Sequence, residues 1–403
     1  MTTVSESGWR AAVSFLLPDE VDPQPLSVAG REFVDRDDVA AVVRIGRRKL
    51  HLSGFPNRYG FLAFPPHTAK VRFLLPHHNQ AAIRHMVRPR AEREPGVLRG
   101  VHRVVESMPP KLVEATSLSV EVATRSVSPT VARLHQIAPR ADIGCLFTRT
   151  SAGRSAVCAF DGERLCAIAK VVTTASGSAQ LDHEAAMLRE LSAHDRLRGY
   201  VPQLEKRLSV RSGEVLVTDA FHGSPAPTSI SPALKEWLRR CPHGDIRSVS
   251  DAAVIIRTVE RANQHGDAQL AQRALDLLQG ARSRPCVVHG DFAPWNVVVR
   301  GEDAFVFDWE YGVADGVPEW DALFFLVQVG IIVSRWNGLQ LAAAIRTNAE
   351  VPSTNYTERQ YLGMAALLLL DLRGRYRERC DHVREHVVAT AVAEIARGAP
   401  RSR

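Results

Sequence analysis

The stretch CVVHGDFAPWNVVVRGEDAFVFDWE, residues 286–310, decides how the rest of the chain is read. The apolar runs flanking HGDFAPWN (289–296) and Gly301 predict a strand, a loop, a strand, a three-residue turn Gly301-Glu302-Asp303 and a returning strand. In that register Arg300 pairs with Ala304, and counting back two by two sets Asn296 directly opposite Asp308. Val297, Val299, Phe305 and Phe307 then face the core. A carboxylate at the edge of so apolar a hairpin needs a partner, because an unpaired buried charge is costly. A divalent cation supplies one. Mg2+ takes hard oxygen donors and is commonly held by one or two carboxylates together with substrate phosphates. Asp308 and the Asn296 amide oxygen make such a pair, and Asp291, five residues before Asn296, can accept the proton of an attacking hydroxyl. Taken singly, the three residues are ordinary turn and strand-end chemistry. Their joint spacing favours a metal and phosphate site.

Composition bounds the alternatives. A chain of 403 residues, 45% hydrophobic and 24% charged, can bury at least one full core and divides into two or three domains. The net charge of +7 is carried by arginines interleaved with acids along the whole length, so no nucleic-acid partner is expected. A basic balance also suits anionic small molecules such as nucleotides. The six cysteines, at 145, 158, 166, 241, 286 and 380, show no metal-ligand spacing and read as buried thiols. No apolar run reaches the length of a membrane span and no basic leader precedes one, so the expectation is a cytoplasmic protein with no membrane partner.

Along the chain, residues 1–140 alternate short apolar strands (39–46, 58–65, 70–76) with Pro and Gly turns, followed by a basic helical stretch at 81–91. They read as a small N-terminal α/β domain that could meet a protein partner. From about 143 the pattern becomes antiparallel, with strands in 144–150, 155–160, 164–172 and 214–221, and a hairpin signal at Asp161-Gly162-Glu163. A helix is expected at 181–194. Beyond Ser231-Pro232, an N-cap followed by Pro at the first helical position, the chain is mainly helical apart from 285–309.

HGDFAPWN followed by FDWE resembles the catalytic loop and metal-binding segment of the aminoglycoside phosphotransferase and choline kinase-like family, relatives of protein kinases. The resemblance covers about residues 143–395. It implies an α+β, bilobal protein kinase-like fold, with an antiparallel β N-lobe at 141–223, a mainly helical C-lobe at 224–403, and the additional N-terminal α/β domain at 1–140. It implies ATP and Mg2+ as cofactors, Asp291 as catalytic base, Asn296 and Asp308 as metal ligands, and His289 as a brace of the catalytic loop. Asp321 resembles the family's structural aspartate, although a first-turn helix acid accounts for it equally well. Lys170, inside the apolar strand AIAKVV, matches the phosphate-contacting lysine, and Glu184 matches the glutamate that pairs with it.

The turn around Ser151 and Gly153 would cover phosphates, or is a plain hairpin turn. Thr218, Asp219 and Phe221 would face the adenine from the linker between lobes. Trp309, Glu310 and Tyr311 would meet the acceptor, because rings stack on sugars and acids accept hydroxyl or ammonium protons. The leading expectation is therefore an ATP- and Mg2+-dependent phosphotransferase acting on a hydroxyl of a sugar, amino-alcohol or aminoglycoside-like metabolite. The alternative is a non-catalytic nucleotide-binding regulatory module. A protein kinase is disfavoured, since helix begins within about a dozen residues of Asp308.

Overall fold

The computed structural model of the chain describes residues 16, 41–46, 56–64, 73–76, 79, 82, 118–147, 154–162, 164–210, 213–349 and 356–398. Expectations placed on Ser151 and Gly153, and on the stretch 81–91 apart from Ala82, lie outside the described residues. The architecture is mixed α+β and separates into two compact units, one within 1–185 and 202–222, the other within 186–201 and 223–403.

The first unit is built on one antiparallel sheet. Its strands are β1 (Ala41–Gly46), β2 (Asn57–Phe64), β3 (Phe73–Pro76), β4 (Leu118–Thr124), β5 (Asp142–Phe147), β6 (Arg154–Asp161), β7 (Arg164–Val172), β8 (Leu204–Val210) and β9 (Gly213–Asp219). They lie in the order β1-β4-β2-β3-β5-β6-β7-β9-β8. At the β6–β7 hairpin Asp161 pairs with Arg164 and Gly162 takes a φ of +58°, the left-handed conformation that glycine adopts without a Cβ penalty.

The structure departs from the expected boundary near residue 140. Phe73 and Leu74 of β3 pair with Leu146 and Cys145 of β5, so the four strands before 140 extend the same sheet. Burial explains the join. Phe61, Leu74, Val120 and Val122 pack with Cys145, Val157, Ala167 and Val215 in a single apolar cluster, and splitting the sheet would expose it.

Strand alternation gives this sheet two apolar faces. On one, Ala169, Val171 and Val217 pack with Val131 and Leu134 of helix α1 (Pro129–Ile137), whose start is fixed by Ser128 accepting the Val131 N–H at 3.1 Å. On the other, Val172 and Leu216 pack with Leu181 and Ala185 of α2 (Ala175–Ala193).

The second unit is mainly helical: α3 (Pro232–Arg240), α4 (Ala253–Gln264), α5 (Ala268–Leu277), α6 (Trp320–Gln328), α7 (Gly338–Ala349), α8 (Glu358–Glu378) and α9 (His382–Gly398). Helix α8 is its axis. It is apolar around most of its circumference, and Leu362, Met364, Leu368, Leu369 and Leu372 are buried among residues of α4, α5, α6, α7 and α9. The β-rich interruption is β10 (Cys286–Val288), β11 (Val297–Arg300), β12 (Asp303–Val306) and β13 (Val313–Gly316), with β10 paired to β13 and β11 to β12. Two cysteines differ from expectation: Cys166 is half-buried and Cys380 exposed, while Cys145, Cys158, Cys241 and Cys286 are buried. Among the described residues, no helix is long and apolar enough to cross a membrane.

Candidate active site

The loop 289–296 leaves the end of β10 and is fixed from below. Asp321, in the first turn of α6, is buried and accepts the His289 backbone N–H at 2.7 Å on one oxygen and the Gly290 N–H at 3.1 Å on the other. Burial pushes its pKa up to about 7, opposed by those two hydrogen bonds. His289 is fully buried. Its Nε2 lies 2.9 Å from the Phe307 carbonyl and its Nδ1 accepts the Asp291 N–H at 3.2 Å. A backbone N–H can only donate, so Nδ1 is the bare nitrogen and the proton sits on Nε2. With both nitrogens hydrogen-bonded to backbone, the imidazole braces the loop.

Gly290 adopts φ +72°, and a Cβ there would stand 2.5 Å from the Tyr311 carbonyl oxygen, so only glycine fits. Below lies an aromatic floor in which Trp237 stacks on Phe292 at 5.2 Å and Trp309 meets the His289 ring edge at 4.7 Å.

Asn296 closes the single-turn helix Pro294–Asn296 and is buried. Its Nδ2 donates to both the backbone carbonyl and Oδ2 of Asp291, each at 2.9 Å. Both amide hydrogens are thereby committed, which leaves Oδ1 as the atom able to meet a cation. Burial and the charge of Asp308 push the Asp291 pKa up to about 6, against the opposing pull of Arg375, Arg379 and the Asn296 amide.

The hairpin register differs by one from the sequence expectation. Arg300 pairs with Asp303, Val299 with Ala304, Val298 with Phe305 and Val297 with Val306, so the turn is the two-residue Gly301-Glu302. Gly301 takes φ +64°, suiting the tight turns whose twist matches antiparallel strands. Asn296 thus faces Phe307, whose N–H donates to its carbonyl at 3.0 Å, rather than Asp308. In a regular strand that shift would send Asp308 to the opposite face. The ladder stops at Val306, however, and Asp308 takes a left-handed φ of +74°, which ends the alternation. Asp308 remains near enough to Asp291 for the two charges to repel. The inward set changes accordingly: Ala304, Phe305 and Val306 are buried, while Val299 and Phe307 are only half-buried.

In the first unit, Lys170 on β7 places Nζ 2.5 and 2.7 Å from the two oxygens of Glu184 on α2, a bidentate ion pair whose carboxylate is almost wholly buried. Thr218 is buried in β9. Asp219 turns inward, its Oδ1 accepting the Gln203 N–H at 2.7 Å, and burial raises its pKa. The Asp219 and Ala220 amides donate to the Gln203 and Cys166 carbonyls, so fewer donors remain for a base than the segment 218–221 promised.

Trp309 corrects the acceptor assignment. It is wholly buried and its indole N–H donates to the Val306 carbonyl at 2.9 Å, which makes it a wall of the loop and not a ligand contact. Glu310 and Tyr311 are half-buried.

Sequence reasoning missed a group of arginines. Arg375 donates to the Gly290 carbonyl at 2.7 Å and lies 4.3 Å over the Tyr311 ring, and Arg379 donates to the Tyr311 hydroxyl at 2.6 Å. Arg257 lies 3.4 Å from the Tyr311 carbonyl. The signal was present: Asp371 and Arg375 on α8 and Arg379 at its C-cap fall four apart, and Arg257 and Arg261 fall four apart on α4, the spacing that aligns side chains on one helix face.

The chain matches the family model described as "Phosphotransferase enzyme family" over residues 251–352, the span that contains the loop, the hairpin and α6. A search of curated protein sequences finds no match. Among solved structures, a thermostable mutant of aminoglycoside phosphotransferase APH(4)-Ia is similar at 12% identity and TM-score 0.49, over 67% of this chain and 99% of that one. The GDP and kanamycin complex of APH(2")-IIIa is similar at 13% identity and TM-score 0.43, over 66% and 97%. Macrolide 2'-phosphotransferase MphH from Brachybacterium faecium is similar at 18% identity and TM-score 0.41, over 68% and 99%.

Proposed function

We propose that the protein transfers the γ-phosphoryl group of ATP to a hydroxyl of a small molecule, with Mg2+ as cofactor. The observation that carries the reading is the pair Asp291 and Asn296: the amide holds Asp291 Oδ2 in place and turns its own oxygen away from it. Oδ1 of Asp291 is then the oxygen that takes the proton while the acceptor oxygen bonds to phosphorus and the bridging P–O bond of ATP breaks.

The donor set fits Mg2+, since Asn296 Oδ1 and the Asp308 carboxylate are hard oxygens and nucleotide phosphates would complete the shell. When bound, the cation supplies charge neutralisation on the phosphates. Lys170, oriented by both oxygens of Glu184, would hold the α- and β-phosphates. Thr218, Asp219 and Phe221 lie on the segment expected to receive the base, and Glu310 and Tyr311 on the side expected to receive the acceptor. An ATP-consuming role fits a cytoplasmic protein.

The test is acceptor-dependent ADP release from ATP and Mg2+ across a panel of small hydroxyl compounds. Release that needs both the acceptor and Mg2+ supports the reading. Tight Mg-ATP binding with no release for any acceptor would instead favour a regulatory nucleotide-binding module.

A further inference from the structure

Three arginines of the second unit converge on Tyr311 and the backbone beside Asp291. Arg375 bridges the Gly290 carbonyl and the Tyr311 ring face, Arg379 bonds the Tyr311 hydroxyl with its guanidinium carbon 5.7 Å from the same ring, and Arg257 reaches the Tyr311 carbonyl. Their charges are unequally compensated. Asp371 takes Arg375 at 2.6 Å and Arg261 at 2.5 Å, and Glu378 lies 3.4 Å from Arg261. Among the described residues, Arg257 and Arg379 have no carboxylate within 4.0 Å. Arg257 Nε is buried without a hydrogen-bond partner, and burial brings the Arg257 pKa down to about 10. Arg379 is exposed and lies near enough to Asp291 and Glu310 to feel both charges, without an ion pair to either.

A guanidinium anchored at one nitrogen, as Arg379 is on the Tyr311 hydroxyl and Arg257 on the Tyr311 carbonyl, with further N–H donors to offer, is suited to a carboxylate or phosphate. Arg375 and Arg379 both act on the charge of Asp291, so a polycation placed beside Asp291 would meet like-charge repulsion in a partly dry site. From this convergence we infer that the phosphate acceptor is a hydroxyl compound bearing an oxyanion, a carboxylate or a phosphate ester, held by Arg379 and Arg257 beside Asp291. The inference rests on the phosphotransferase reading above and sets its substrate class. Arg375, buried and matched by Asp371, is a positioning residue for Gly290 and Tyr311. Arg379 and Arg257 set specificity.

The test compares D-glucose, D-gluconate, glucose 6-phosphate, D-glucosamine and kanamycin with the full-length protein. Mg-ATP turnover is followed alongside equilibrium binding in the presence of Mg-ADP. The expected result is binding and kcat/KM for gluconate or glucose 6-phosphate at least about tenfold above glucose, as charge-assisted hydrogen bonds are worth, and glucosamine and kanamycin below glucose. Which of the two anions leads separates carboxylate from phosphate. Arg379→Gln should erase the anion-to-neutral ratio, Arg379→Lys restore part of it, and Arg379→Glu reverse it in favour of glucosamine. A purely structural arginine would lower all five ligands together and leave the ratio unchanged. Equal losses in Arg379→Gln, or wild-type preference for glucosamine or kanamycin, overturn the inference. Anion-selective binding without turnover would leave it standing and count against the phosphotransferase reading alone.

Discussion

Asp291 carries two opposed requirements. As the proposed base it must be ionised, yet burial and Asp308 lift its pKa from 3.8 to about 6 in the metal-free protein. The folded pKa lies above the unfolded one, so the native state binds more protons across that window and stability falls as pH rises through it. Asp291→Asn is therefore expected to raise the melting temperature at pH 7 in metal-free buffer, with the gain disappearing below pH 4. A gain that persists unchanged at low pH would contradict this electrostatic origin. For activity the sign is opposite: kcat/KM should fall on the acid side at or below about pH 6, because a cation at Asp308 offsets the repulsion that raises the pKa.

Lys170→Ala strips a nearly buried glutamate of its ammonium. Since the lysine itself is 27% exposed, the expected cost is about 1–3 kcal/mol, below that of a fully buried pair. The variant should also raise the KM for nucleotide, and adding Glu184→Gln should recover part of the stability and none of the KM. At this scale the sequence was informative about two pairings: Lys170 and Glu184, brought forward by the resemblance, form an ion pair, and Asn296, five residues after Asp291, is hydrogen-bonded to it. Trp309 was misread because an aromatic beside two acids looks alike whether it faces a ligand or a wall.

At the scale of elements, the loop 289–296 depends on α6, whose first-turn aspartate takes two backbone N–H groups. Asp321→Ala leaves both donors buried and is expected to cost about 2–4 kcal/mol, at about 1–3 kcal/mol per orphaned donor, partly relieved by removing a buried carboxylate. Chemical denaturation should show the loss at constant m-value, together with collapse of turnover. Asp321→Asn, which keeps one acceptor, should lie between the two proteins. The hairpin shows why register is harder to read than strand identity. Arg300-Gly301-Glu302-Asp303 and a three-residue turn have the same glycine-led sequence, and only the left-handed φ of Gly301 and the 300–303 pair separate them. Asp308 leaves the ladder through its own positive φ, so the one-residue shift does not by itself fix its direction. The arginine group escaped notice for a related reason. Arg261 and Asp371 stand 110 residues apart, and each helix alone looks like a solvated basic face.

Across the whole molecule, the strands before residue 140 and those after it share one sheet and one apolar cluster. Local alternation revealed the strands but not the pairing of β3 with β5, which depends on residues more than 70 positions apart in sequence. Removal of residues 1–140 is therefore expected to expose the β5 edge together with the apolar face of Cys145, Val157 and Ala167. Such a truncation should aggregate or bind a hydrophobic dye rather than fold as a smaller active enzyme. A soluble, cooperatively melting 141–403 fragment with full ATP turnover would overturn this assignment. The dispersed charge has a matching explanation: many of the arginines are committed to ion pairs inside the second unit, such as Arg373 and Arg377 with Asp267 and Glu385.

The most direct test of the account is single-turnover ADP formation from Mg-ATP and a productive acceptor, wild type against Asp291→Ala, with nucleotide affinity measured on both. Loss of a positioned base predicts a drop of about 10²–10⁴ in rate at unchanged ATP affinity. An Asp291→Ala protein that still transfers phosphate to the acceptor at the wild-type rate would contradict it.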